Sequence, residues 1–200
     1  LEVLAEVKLG PPVTPTAVDR GEQLFNDSRL SSDGWISCRS CHTRGHTNEG
    51  LSDTLGDGGF GAPKKVLSLL GSGQTGPWAW NGQVRSLAEQ VSKSVKLTMR
   101  GAAIQSRQAS DIAAYLVSLP VAPALARARG ASDKLAITRG EAVFRRAGCV
   151  ECHAPPLYTS PRTFDVGFQD ELGRRRFNPP SLRGVSQRDR LFHDNRAGSL

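Results

Sequence analysis

The four cysteines of this 200-residue chain occur in two strings, Cys38-Arg-Ser-Cys41-His42 and Cys149-Val-Glu-Cys152-His153. Two thiols at this spacing can each form a thioether with a haem vinyl group, and the adjoining histidine then reaches the iron from the proximal side. Such a tether keeps the cofactor from dissociating and holds the iron–imidazole bond in place. An all-cysteine zinc site is a poorer fit, because more than half the chain separates Cys41 from Cys149, whereas the pairs of such a site usually lie close together in sequence. It also leaves both histidines without a task. A thioredoxin-like pair would need a strand–helix–strand setting that the sequence does not show. Two small disulfide loops would not need His42 or His153. The strings read as two covalent c-type haems, with Cys38, Cys41, Cys149 and Cys152 as anchors and His42 and His153 as iron ligands.

The distal side decides what such an iron does, since two strong ligands favour electron passage and an open position admits peroxide or oxygen. Met99 is the only methionine and lies well downstream of His42, beyond the loop expected to cover the haem. It is the candidate distal ligand of the first haem; filling core space is the alternative role. Lys93, Lys96 and His46 are weaker substitutes, and His46 follows His42 too closely to cross the haem plane. For the second haem the spare histidine is His193, whose repeat partner is Trp80. Tryptophan does not ligate iron, so the symmetry favours packing or a hydrogen bond near a propionate for His193.

The elements around these residues form a repeat. Arg20-Gly21-Glu22-x-x-Phe25 returns as Arg139-Gly140-Glu141-x-x-Phe144. Ser68-Leu69-Leu70-Gly71 returns as Ser181-Leu182-Arg183-Gly184, and at the same offset Ser86-Leu87 returns as Ser199-Leu200. Amphipathic spacing predicts helices over Thr16–Asn26, Ser86–Met99 and Ala109–Leu119, the last with Asp111 in its first turn and Pro120 as its stop. Leu67–Asn81 reads as a loop over a haem, and Pro120–Ser132 as a linker. The expected fold is all-α: two tandem cytochrome c-like domains, 1–122 and 137–200, joined by a linker at 123–136. The second copy reaches only the counterpart of Leu87 and is expected to be incomplete. The chain opens at Leu1 without methionine or a leader pattern, as expected of a processed chain or a piece of a larger protein.

No apolar run is long enough to span a membrane; the best, Ala113–Ala126, is broken by Ser118, Pro120 and Pro123. The net charge of +7 falls to about +3 once four haem propionates are counted. Arginines such as those of Arg174-Arg175-Arg176 suit carboxylates, a solvated face or an acidic redox partner. No aromatic residues interleave with them as nucleic-acid stacking would require.

The order Arg-Gly-x-x-x-Phe, Cys-x-x-Cys-His, Pro-Ser-Leu-x-Gly, Phe-His-Asp resembles the bacterial di-haem cytochrome c peroxidases and MauG-type enzymes. The resemblance runs over Arg20–Leu87 and Arg139–Leu200. It implies two haem domains in the periplasm, one haem meeting peroxide and the other storing electrons. It also implies that Trp80, in Trp80-Asn81-Gly82, is the relay between haems. The family's peroxide site has a glutamate before a methionine, where this chain has Thr98-Met99, and threonine is no carboxylate acid–base. The family's downstream histidine is also missing. The leading expectation is therefore a periplasmic di-haem carrier passing single electrons to or from a protein redox partner. A peroxidase or MauG-type oxidase with one open haem is the alternative, as is the electron outlet of a larger dehydrogenase.

Overall fold

The computed structural model describes residues 3–7, 10–11, 13–55 and 59–198. The Ser199-Leu200 match lies outside them. Helix α1 spans Ala17–Asn26 and starts on a reciprocal cap: the Thr16 hydroxyl accepts from the Asp19 amide, and Asp19 accepts from the Thr16 amide. Helix α2 is the single turn Cys38–Cys41, α3 is Leu87–Lys93, and α4 is Ser106–Ser118. Short α5, Leu125–Ala128, interrupts the expected linker, and α6 is Lys134–Arg146.

The core of the first half joins α1, α3 and α4 through Phe25, Leu87, Val91, Ala109, Ile112 and Leu116. These are the apolar stripes that the helical spacing points to. Helices α1 and α4 meet almost backbone to backbone at Gly21, where an added Cβ would lie 2.0 Å from the Asp111 carbonyl oxygen. Beside this crossing, Arg20 holds the Asp111 carboxylate with two hydrogen bonds of 2.8 and 3.0 Å.

Three expectations are corrected. Helix α4 begins at Ser106, so Asp111 sits beyond the first turn and serves Arg20 instead of the helix N-terminus. The expected helix Ser86–Met99 stops being α-helical at Lys93 and continues as a π-helical turn, Ser94–Thr98, with Met99 at its end. Two antiparallel ladders, β1 (Leu51–Ser52) with β2 (Lys64–Lys65) and β3 (Phe164–Asp165) with β4 (Arg176–Phe177), add to the helices. Strands this short leave too little alternation to read from sequence.

The repeat is carried by the backbone as well. The bridge Trp78–Val84 returns as Leu191–Ala197, and the left-handed Gly71 returns as Gly184. Ala79 and Phe192 share a positive φ, as do Gly82 and Asn195. All these pairs keep the one sequence offset that relates Ser68 to Ser181. The halves differ around their first helices. Where Gly21 is jammed against α4, nothing stands within 4 Å of a Cβ at Gly140. Among the described residues no helix covers α6, and Leu135 and Ile137 are exposed.

Candidate haem sites

In the first site, Ser37 opens the single turn of α2, with its amide donating to the Ser40 hydroxyl at 3.1 Å. One helical turn sets Cys38 and Cys41 on one face. The His42 amide donates to the Cys38 carbonyl at 2.9 Å, which fixes where the ring leaves the turn. In the second site a 3-10 turn, Cys149–Glu151, does the same, and the His153 amide donates to the Cys149 carbonyl at 3.0 Å.

Both imidazoles are oriented alike. His42 Nδ1 donates to the His46 carbonyl at 3.4 Å, and the ring also faces the Leu67 backbone. His153 Nδ1 donates to the Tyr158 carbonyl at 3.0 Å, and the ring also faces the Pro180 backbone. Leu67 and Pro180 are repeat partners at the common offset. A proton held on Nδ1 leaves the Nε2 lone pair free for a metal. Burial lowers the pKa of both rings, which keeps them neutral. It pushes the Cys38 thiol up to about 11.

Cys38, Cys41 and His42 line a cavity of about 290 Å³, and Met99 with Val91 and Ile112 also line it. The Met99 sulfur lies 4.0 Å from the Cys38 sulfur and is buried. Its position is fixed from three sides. The π-helical turn closes with the Met99 amide donating to the Ser94 carbonyl at 2.9 Å, and the Met99 carbonyl accepts from the Ser32 amide at 3.0 Å. Gly101 lets the chain pass Leu30, whose carbonyl oxygen would lie 1.9 Å from an added Cβ. A π turn of this kind is a common device at functional sites. Thr98 lines the cavity too, whereas Lys93 and Lys96 do not. His46 is engaged with the Ser68 hydroxyl at 2.6 Å.

Trp80 stands where the halves meet. Its indole N–H donates to the Lys65 carbonyl at 2.9 Å, and its ring meets Phe177 and His193 edge-on. His193 is 1% exposed and stacks on Phe177 with ring centroids 4.1 Å apart. The second site is more open, with Cys149 exposed and Phe144 set edge-on to Tyr158.

Sequence reading missed the charges of this junction. Lys64 and Lys65 are buried, Lys64 pairing with Asp170 at 3.0 Å and Lys65 pairing with Glu49. Their one visible signal is a lysine doublet between apolar neighbours, Ala62-Pro63 and Val66-Leu67.

A cavity flanked by two thiols, a neutral imidazole and a thioether, with cations at one edge, fits a c-type haem. The family model for di-haem cytochrome c peroxidase matches residues 15–126, and the chain belongs to that family. Its cofactors are accordingly two c-type haems. The methylamine utilization protein MauG of Methylorubrum extorquens is 28% identical over 94% of this chain and 67% of its own length. The cytochrome c551 peroxidase of Nitrosomonas europaea is 24% identical over the whole chain and 75% of its own length. A hydrazine synthase structure from Kuenenia stuttgartiensis superposes with a TM-score of 0.83 at 22% identity, covering 100% of this chain and 88% of that one. A MauG-like protein associated with microbial copper homeostasis gives 0.69 at 20% identity, covering 97% and 74%. Among the described residues no helix is long and apolar enough to cross a membrane.

Proposed function

We propose that this chain is a periplasmic di-haem cytochrome c that passes single electrons between its haems and a protein redox partner. Cys38 and Cys41 would anchor the first haem, His42 would bind its iron, and Met99 would close the opposite side. Cys149, Cys152 and His153 would do the same for the second, whose distal group is unassigned. Bound there, haem supplies one-electron redox chemistry. The chain's own part is to hold the imidazoles neutral and oriented, to keep water from the first cavity with Val91, Ile112 and Leu116, and to place Trp80 between the halves. Attachment through free thiols requires export and an oxidising compartment with dedicated handling, which supports the periplasm.

The buried Met99 on the first cavity carries this reading. A thioether ligand raises the potential and leaves no open position for peroxide, and Thr98 beside it offers no carboxylate to move a proton. The family itself and the named peroxidases among the relatives stand behind the peroxidase alternative.

Injecting one electron per molecule into the oxidised holoprotein tests the proposal. Transient absorption should show the electron distributing between both haems and then leaving to an added cytochrome-type acceptor. An electron that stays on one haem until peroxide is added would overturn it in favour of the enzyme.

A further inference from the structure

The repeat builds the same loop twice. Gly71 and Gly184 both take a left-handed conformation, and each is followed by a 3-10 turn, Ser72–Gln74 or Val185–Gln187. The first copy does this with Leu70 and Thr75, where the second has Arg183 and Arg188 at the matching positions. The loop geometry therefore does not need the arginines.

Both arginines nevertheless turn toward the other half and line the first cavity. Arg183 donates to the Gly71 carbonyl at 3.4 Å and to the Gln74 side chain at 3.3 Å. Arg188 donates to the Ser181 carbonyl at 3.3 Å, and its field reaches His46 and Glu49 of the first half. In each guanidinium the Nε is buried with no hydrogen-bond partner among the described residues. An unpaired buried donor on a cation carries its full desolvation cost unless a ligand supplies the acceptor.

The charges are also out of balance. Lys64, Lys65, Arg183 and Arg188 all line the cavity, and among the described residues no Asp or Glu does. Asp170 and Glu49 pair with the two lysines from outside it. That leaves two positive charges to be met by something in the cavity, and a haem carries two propionates.

We infer that Arg183 and Arg188, which belong to the second repeat, form the carboxylate clamp of the first haem. The first haem site is then completed across the junction. Guanidinium suits this task, with a planar donor fork that matches a carboxylate. The inference rests on the haem reading of the Cys38–His42 motif.

The test uses holoprotein variants Arg183→Gln, Arg188→Gln and Arg188→Lys, with Arg176→Gln as a charge control on an exposed site. A pyridine haemochrome assay first counts the haems; fewer than two in the unmodified protein would defeat the haem reading itself, separately from the clamp. Resonance Raman spectra then report hydrogen bonding to propionates. With two haems present, the propionate bending mode of one haem should shift down in each Gln variant. That haem's midpoint potential should fall as well, because lost positive charge stabilises the oxidised form. A Cys149→Ser/Cys152→Ser background, which leaves only the first motif, assigns the affected haem. Arg188→Lys should restore much of the potential and little of the Raman mode. Unchanged modes and potentials in both Gln variants, a shift confined to the second haem, or an equal shift in Arg176→Gln would each overturn the clamp. An effect seen only when inorganic phosphate is added would mean a free anion site and overturn it too. If the Gln variants fail to accumulate, the unmodified protein still decides: a propionate mode insensitive to deuterium exchange contradicts the clamp.

Discussion

Trp80 and His193 occupy the same station of the two repeats, and their rings meet edge to face with centroids 6.2 Å apart. The backbone around them is reciprocal. The Lys65 amide donates to the His193 carbonyl at 2.6 Å, and the Asn178 amide donates to the Trp80 carbonyl at 2.7 Å. Lys65 and Asn178 are themselves repeat partners at the same offset. Residue i of one copy thus bonds residue j of the other in both directions, which is the signature of a two-fold interface inside one chain. Trp80 and His193 lie where such an axis passes.

Trp80→Phe keeps the ring in this junction and removes the donor to Lys65. One partly buried hydrogen bond contributes about 1 kcal/mol, so the thermal midpoint should fall modestly. The static haem spectra should not change. Transient absorption should show electron exchange between haems slowed severalfold; an unchanged exchange rate would remove Trp80 from the path.

Gly21 and Gly140 are repeat partners in opposite surroundings. Gly21→Ala forces a Cβ into the Asp111 carbonyl and should destabilise by about 1–3 kcal/mol or more, as overpacking does. Gly140→Ala meets open space inside a helix and should be neutral or stabilising by up to about 1 kcal/mol. Thermal unfolding of the two variants side by side checks the contrast.

Acid stability should depend on Asp111. The Arg20 guanidinium beside it holds its carboxyl below the usual carboxylate range. The carboxylate therefore stabilises the fold at any pH above its ordinary unfolded value, and that contribution is lost as pH falls through the lowered native value. Asp111→Asn should be less stable at neutral pH and should show a smaller further loss between neutral and strongly acidic solution. Parallel acid dependence in variant and parent would contradict the pairing.

Met99→Leu preserves apolar volume and should fold, since such swaps usually cost less than about 1.5 kcal/mol. It removes the only methionine of the chain. The methionine-to-iron charge-transfer band should vanish and the first haem should gain a high-spin component. An unchanged near-infrared spectrum would make Met99 a packing residue.

Much of the haem chemistry was legible because it is local. Two short Cys-x-x-Cys-His strings name the candidate anchors and proximal histidines, and the repeat sets Ser68–Gly71 and Trp80–Gly82 in register with Ser181–Gly184 and His193–Asn195. The short ladders and the π turn over Ser94–Thr98 were not legible, because neither imposes a period long enough to read. Asp111 misleads for a different reason. An acid near a helix start suits the dipole equally well, and only Arg20, 91 positions away, decides its role. The junction was hidden for the same reason. Lys64 with Asp170 and Lys65 with Glu49 are pairings that no spacing rule announces.

Low-temperature EPR of the oxidised holoprotein tests the electron-carrier reading most directly. Two low-spin signals, unchanged by cyanide or peroxide, are the expected result. A high-spin signal that disappears when cyanide binds would contradict it, since it would place an exchangeable sixth position on one of the two haems.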